Sequence, residues 1–500
     1  LADFIIIGAG YGGLASGALL ANSGFEVQVL ESHVYPGGCA SYFKRKEFLF
    51  DVGATTFSGV KPDQPLGMLF DELNLKHDLI RIDPGMIIRM DGKELRRFSD
   101  QEAWTNETEQ IFKIDGIGKF WDKVYKTDSI VWELLKENKL LPPANLRELV
   151  TLIKPVNLKG IRILPGLFQS FGSVLSSMQL KTTQKFHRFI DELLLITAQN
   201  TALKTPWTLG AMGLAYPAET YYPSGGMFRP AKLLEEKILS SGGAVRYKEK
   251  VVSVEQHKDY YFVKTAKGNR YKAKGIISNI PVWNMSAITD GAISNYFEKI
   301  AGRTGAAWGA VTLNFAIESA KELESLYFQI HTKEKVPHCH SQSFFVSFSA
   351  AADRLKAPAG WRSVTISLHS EAAQWFGLSK PEYERRKSQI KDAILKEFRA
   401  AFPEFDGCRI EHVLPGTPVT FQFYTQRHSG FVGGIPHSIE NSLLKFPPNK
   451  TPFNNFYMAG DTVFPGQGTP AVVLGAIMVW RRVMGEKGFK NIPRIGLRAF

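Results

Sequence analysis

The chain has 500 residues, 44 % of them hydrophobic, with a mean hydropathy of −0.13 and a formal net charge of +13. This is enough chain for two domains and a large core, and it excludes a disordered or many-span membrane protein. Three cysteines without a C-x-x-C pair, Cys39, Cys339 and Cys408, make neither a disulfide framework nor a zinc site and fit a reducing cytosol. The chain opens on Leu1-Ala-Asp3 with no signal-peptide pattern, so only a few residues are expected ahead of it.

Four apolar residues, Phe4 to Ile7, predict a buried parallel strand, and the small apolar run Leu14–Ala21 predicts a helix. Between them Gly8, Gly10 and Gly13 spell G-x-G-x-x-G, with Gly12 inside it. Gly8 permits a tight turn, Gly10 lets the backbone approach a pyrophosphate, and Gly13 lets helix and strand pack closely. The helix start offers unpaired N–H groups and a positive dipole end to phosphates. A second strand, Glu26–Leu30, ends at Glu31, followed by Ser32. An acid there is placed to accept from a ribose hydroxyl and disfavours a 2′-phosphate, which points to FAD or NAD rather than NADP.

A second glycine pair, Gly37-Gly38, and then Asp51-Val-Gly53 follow the acid. In that order these residues resemble the amine-oxidase and phytoene-desaturase superfamily of flavoproteins. The resemblance implies FAD, with the glycine pair beside its diphosphate and the D-x-G segment near the isoalloxazine.

From about 60 to 220 the dinucleotide pattern stops. Leu66–Leu73 and Asn106–Leu141 read as helices, the second interrupted at Asp115-Gly-Ile-Gly118, and Leu79–Phe98 reads as short strands turning at Asp91-Gly92. The stretch Asn145–Arg188 alternates apolar groups (Leu149, Ile153, Leu158, Ile161, Leu164, Phe168) with Lys154, Lys159 and Arg162, broken by Pro155, Pro165 and Gly166. Short helices with an apolar, base-flanked face predict a surface that docks on a membrane without crossing it.

Tyr222-Pro-Ser-Gly-Gly226 leads into a helix over Pro230–Ser240. A turn at Gly242–Val245, a strand over Tyr247–Gln256, its hairpin partner Tyr260–Thr265 and a buried strand over Lys274–Ile280 are expected next. Residues 285–440 read as mixed strand (Ala310–Ile317, Ser343–Phe348, Ser363–Leu368) and helix (Lys380–Phe402). Asn455–Asp461 is a strand ending in Gly460-Asp461, and Gly468-Thr469-Pro470 opens a helix to about Val483. No Ser-His-Asp, H-E-x-x-H or paired-carboxylate pattern assigns a catalytic residue. His331, His338 and His340 are expected in a loop, not a metal site.

Gly8/Gly10/Gly13, Glu31, Gly37-Gly38, Asp51-Val-Gly53, Tyr222–Gly226 and Ala459-Gly-Asp-Thr-Val-Phe-Pro-Gly-Gln-Gly468 together resemble the bacterial-type carotenoid desaturase and carotenoid cis–trans isomerase family. The fold implied is α/β, a Rossmann-type, glutathione-reductase-like FAD domain (1–60, 221–284, 451–500) with a discontinuous mixed α+β substrate domain (61–220, with 145–188 facing the membrane, and 285–450). The implied cofactor residues are Gly8, Gly10, Gly12, Gly13, Glu31, Ser32, Gly37, Gly38, Val252, Gly460, Asp461, Gly468, Thr469 and Pro470. The implied activity is desaturation of a membrane-dissolved carotenoid, γ-carotene-like, by hydride removal. Cis–trans isomerisation with reduced FAD is the alternative, and flavin-free prenyl-lipid binding, as in Rab GDP-dissociation inhibitors, the second. The expected setting is cytoplasmic and peripheral to the membrane, without nucleic acid, and with oxygen or a quinone as candidate electron acceptors.

Overall fold

The structure is a computed structural model that describes residues 1–138, 141–143, 146–215, 219–441 and 446–485. Expectations touching 216–218 and the tail beyond 485 lie outside the described residues.

The strand Ala2–Ile7 is apolar throughout its core because both of its faces are covered. Phe4 and Ile6 pack with Leu14 and Ala18 of the helix Tyr11–Asn22, Leu234 and Ile238 of Phe228–Ser240, and Val473 and Ile477 of Thr469–Gly485. Ile5 and Ile7 face the opposite way, onto Val263, Ile276 and Phe297. Five parallel strands run in the order Ala244–Arg246, Val27–Leu30, Ala2–Ile7, Arg270–Ser278, Phe456–Met458. A hairpin of Val251–Gln256 and Tyr261–Thr265 adds antiparallel to the start of Arg270–Ser278. The fold is thus the Rossmann-type arrangement expected.

One local expectation fails here. Residues 244–246 are an edge strand beside Val27–Leu30, not a turn, and the next strand begins only at Val251. Three residues are too few to show a period of two. The chain then breaks at Lys248 (φ +58°), where Lys248 N–H donates to His33 O and Glu249 N–H to Glu31 O.

The second sheet has seven strands, in the order Ile410–Gly416, Trp308–Glu318, Trp361–Glu371, Ser343–Phe348, Tyr327–His331, Met86–Met90, Lys93–Arg97. All its pairings are antiparallel except one. Met86–Met90 runs parallel to Tyr327–His331, which joins chain from both sides of the second dinucleotide segment. The turn between its last two strands is Asp91-Gly92, both at positive φ (+51° and +73°), as the sequence predicts. Ile390, Ile394 and Phe398 of the helix Lys380–Ala401 close one face over Val311, Leu313 and Val364. His331 ends a strand and is buried rather than lying in a loop, because Ile330 and Gln329 before it are ladder residues.

A helical cluster sits against this sheet. The helical stretch expected over 106–141 with a break at 115–118 is two helices, Gln101–Phe112 and Ile117–Glu137, parted at Gly116 (φ +79°); its part at 139–140 lies outside the described residues. The stretch 145–188 is broken as predicted, into Leu146–Val150, Pro155–Arg162, Pro165–Leu167 and Phe171–Ser177, before the 15-residue helix Gln184–Ala198. Among the described residues no helix is long and apolar enough to cross a membrane.

Candidate active site

The C-terminal ends of the parallel strands bring Gly8, Glu31, Asn279 and Gly460 together, as an open α/β sheet requires of its ligand site. Gly8 turns the chain at φ +95°, and Gly10 is the cap of the helix Tyr11–Asn22. A Cβ on Gly10 would stand 2.5 Å from Asn279 Nδ2, and one on Gly12 would stand 2.7 Å from Asn279 Oδ1 and 2.9 Å from Gly460 N. A Cβ on Gly13 would stand 2.2 Å from Gly8 O, the close helix–strand packing expected of that glycine, and Gly13 is not among the residues lining the cavity.

The second glycine pair lies on the first loop. Gly37 N–H donates to Ala9 O at 2.8 Å, and a Cβ on Gly38 would rest 3.4 Å from Gly10 Cα. Glu31 braces both loops from behind. Its Oε2 accepts from Ala9 N–H at 2.7 Å, and its Oε1 from His33 N–H at 2.7 Å and Ser32 Oγ at 3.1 Å. Val252 lines the same cavity at a bulge, where pairing passes from Val251↔Thr265 to Ser253↔Lys264.

Asp461 follows the strand Phe456–Met458, and its Oδ2 accepts from Arg427 Nη2 at 2.8 Å. Arg427 also donates to Phe431 O, which fixes the guanidinium in the cavity wall. Cys39 lies beside this pair; burial pushes its thiol up, against the pull of Arg427. Gly468 (φ +87°), Thr469 and Pro470 present the start of the helix Thr469–Gly485 to the same space.

In the D-x-G segment Val52, Gly53 and Ala54 line the cavity, while the Asp51 carboxylate is buried away from it, paired with Lys356 and accepting from Met227 N–H at 2.9 Å. The Tyr222–Gly226 turn is held from the loop between Ser343–Phe348 and Trp361–Glu371, with Asp353 Oδ2 accepting from Tyr222 Oη (2.6 Å) and Gly225 N–H (2.7 Å).

The cavity continues past the dinucleotide loops, with a total volume near 1900 Å³. Its far part is apolar, walled by Leu135, Leu152, Ile161, Ile163, Leu164 and Leu167. Asn138 and Asn157 clasp each other there through reciprocal amide bonds of 2.6 and 3.0 Å. One wall is polar: Thr312, Asn314, Ser341, Ser343, Ser367, His369 and Glu192. Burial, with His340 adding to it, pushes His369 down to about 4, and burial alone does the same for His437, so both are neutral imidazoles.

The loops fit a dinucleotide. Gly10, Gly12 and Gly38 present bare backbone to the cavity, the Glu31 carboxyl lines the same space, and a helix starts on each side. Asn279, which follows the strand Arg270–Ser278, stands beside Gly8 at the end of the sheet where the resemblance puts the diphosphate. Arg427 was not among the expected site residues; it has no motif around it and is drawn in only by the fold.

The model of the flavin-containing amine oxidoreductases matches residues 11–481, and the chain belongs to that family. It is 27 % identical to a chloroplastic prolycopene isomerase of Daucus carota, over 98 % of this chain and 81 % of that one. It is 22 % identical to the phytoene desaturase of Fusarium fujikuroi, over 97 % and 90 %. Among solved structures, putrescine oxidase bound to putrescine superposes with a TM-score of 0.64 at 16 % identity, covering 96 % of this chain and 98 % of that one. The protein is an FAD-dependent oxidoreductase.

Proposed function

We propose that the protein acts on a long conjugated polyene of the carotenoid class, taken from lipid, and that its reaction is cis–trans isomerisation. The observation that carries this reading is the continuity of the cavity, from the glycine loops to the apolar segment after residue 148. Its 1900 Å³ is about twice the upper end of ordinary small-molecule pockets, roughly 1,000 Å³, and suits a dinucleotide and an elongated apolar molecule together. Ile161 and Leu164 line the cavity and are also 59 % and 49 % exposed, so they stand at its mouth. Leu149, Val150, Ile153, Leu158 and Phe168 are exposed around them, with Lys154, Lys159 and Arg162 alongside. That combination suits docking on an anionic membrane.

In this reading Gly8, Gly10, Gly12, Gly37 and Gly38 admit the FAD diphosphate, with Glu31 and Ser32 toward the adenosine ribose and Val252 beside the adenine. Gly460, Asp461 and the Gly468–Pro470 helix start serve the flavin half. FAD, when bound, would supply an electron-rich ring if reduced, the state isomerisation calls on, and a two-electron acceptor if oxidised, the state desaturation calls on. The chain supplies a dry channel that holds the polyene in line and excludes water.

The sequence expectation puts desaturation first. The likeness to prolycopene isomerases, at 26–28 % against 22 % for phytoene desaturase, favours isomerisation, and desaturation is the second reading. The test is to offer cis-lycopene-type and γ-carotene-type polyenes in anionic vesicles to the FAD-loaded protein, with the flavin oxidised or reduced. A mass-neutral, all-trans product requiring reduced flavin is expected. A product lighter by two hydrogens, formed with oxidised flavin, establishes desaturation instead, and no conversion of either refutes the polyene reading.

A further inference from the structure

Glu192 is a buried carboxylate that forms part of two cavities at once. It lies on the helix Gln184–Ala198, is 8 % exposed, and lines the large cavity on its polar wall. Its other side borders a second space of about 590 Å³, lined by charged groups that include Asp91, Lys185, Arg188, Asp191 and Lys335. Lys335 is exposed, and Lys185 and Arg188 are about a quarter exposed, so this second space is a cleft in contact with water. Two bonds hold the carboxylate in the partition. Oε1 accepts from Gln342 N–H at 2.8 Å and Oε2 from Ser343 Oγ at 2.6 Å, while Ser343 Oγ accepts from Gln329 Nε2 at 3.0 Å. A carboxyl fixed between a largely apolar channel and a charged, wet cleft has the geometry for moving protons between them.

We propose that Glu192 exchanges a proton with the bound polyene and is recharged from the charged cleft. This rests on the isomerase reading above. The carboxylic acid gives its proton to one carbon of a conjugated double bond, and the π pair becomes the new C–H bond. The remaining double bonds spread the positive charge, and the former double bond rotates as a single bond. The carboxylate then takes a proton back from the same carbon, and that C–H pair restores the double bond in the trans form. Atoms and electrons balance with no oxidant consumed. Burial raises the carboxyl's proton affinity, with Asp191 adding to it, while Ser343, the Gln342 N–H and Lys335 draw it back.

The test is turnover in D2O by the FAD-loaded protein with reduced flavin, on cis-polyene in anionic vesicles, read by product mass. The wild-type product is expected to carry deuterium, because the acid equilibrates with D2O through the cleft. Glu192→Gln, which keeps an acceptor for Gln342 N–H, is expected to retain flavin and melting temperature while isomerisation falls by about 100-fold or more. Glu192→Asp, which keeps the acid, is expected to recover part of the rate and the label. Wild-type isomerisation without deuterium, or a Glu192→Gln rate equal to wild type, overturns the proposal and leaves the isomerase reading standing. No isomerisation by the wild type overturns both.

Discussion

Gly10 has no room for a side chain, and the obstacle is protein before it is cofactor. A Cβ there meets Asn279 Nδ2 at 2.5 Å, and Gly38 packs on the same backbone from the other side. Gly10→Val should therefore push Asn279 aside and fill the diphosphate space together, and purified protein should carry less than about a tenth of the wild-type flavin absorbance. Full flavin occupancy in that variant would contradict the placement of the diphosphate. Arg427 poses the complementary case. It and Asp461 are 12 % and 18 % exposed, so removing the cation leaves a carboxylate largely out of water. Arg427→Met should cost about 2 kcal/mol in denaturant unfolding and weaken flavin retention, whereas the double variant with Asp461→Asn should recover much of the stability. Equal stability of wild type and Arg427→Met would mean that the pair contributes nothing.

At the scale of elements, the helix Ile117–Glu137 carries a titration into the fold. Asp128 on its inner side is pushed up to about 7 by burial, with the Trp132 indole drawing it back only in part. A carboxyl whose folded value lies above its unfolded value costs nothing below about pH 4, where both states are protonated. The penalty grows as pH rises and is complete above about 7, where it reaches up to about 4 kcal/mol. Stability contributed by the protonated form is thus lost between pH 4 and 7, and Asp128→Asn should flatten that part of the pH–stability curve and raise stability at pH 8. A variant whose profile keeps the wild-type slope between those pH values would show that Asp128 is not the group responsible.

Elements also mark the limit of what the sequence discloses. The strand–glycine–helix opening, the acid at Glu31 and the Gly460-Asp461 strand end were legible because each is complete within a few residues of backbone. The second sheet was legible as strands of a discontinuous domain but not in its order, because its key pairing joins Phe328 to Ile87, and no local period announces a partner 241 positions away. The same holds for Lys356, which takes up the Asp51 carboxylate across 305 residues and so ties the strand Phe48–Asp51 to the loop before Trp361–Glu371. The edge strand Ala244–Arg246 was missed for the opposite reason, being too short to carry a pattern.

Across the whole molecule, the cavity couples the dinucleotide loops to an apolar surface. The segment that forms its mouth is tied down where it begins: Glu148 accepts from Arg482 of the helix Thr469–Gly485 at 2.6 and 2.7 Å. Beyond that anchor Ile153 and Leu158 are 82 % and 65 % exposed. Ile153→Glu with Leu158→Glu should leave the melting temperature unchanged and reduce flotation with anionic vesicles by at least about tenfold, since each loses about 2 kcal/mol of apolar transfer. Wild-type flotation should also fall as salt screens Lys154, Lys159 and Arg162. Unaltered flotation of the double variant would move the docking surface elsewhere.

The most direct measurement of the account is an experimental structure of the FAD-loaded protein with a long polyene bound. It should show the diphosphate over Gly10 and Gly38, the flavin beside Asp461, and the polyene running past Glu192 toward Ile161 and Leu164. Polyene density outside this cavity, or a flavin that closes the passage between Asp461 and Leu164, would contradict it.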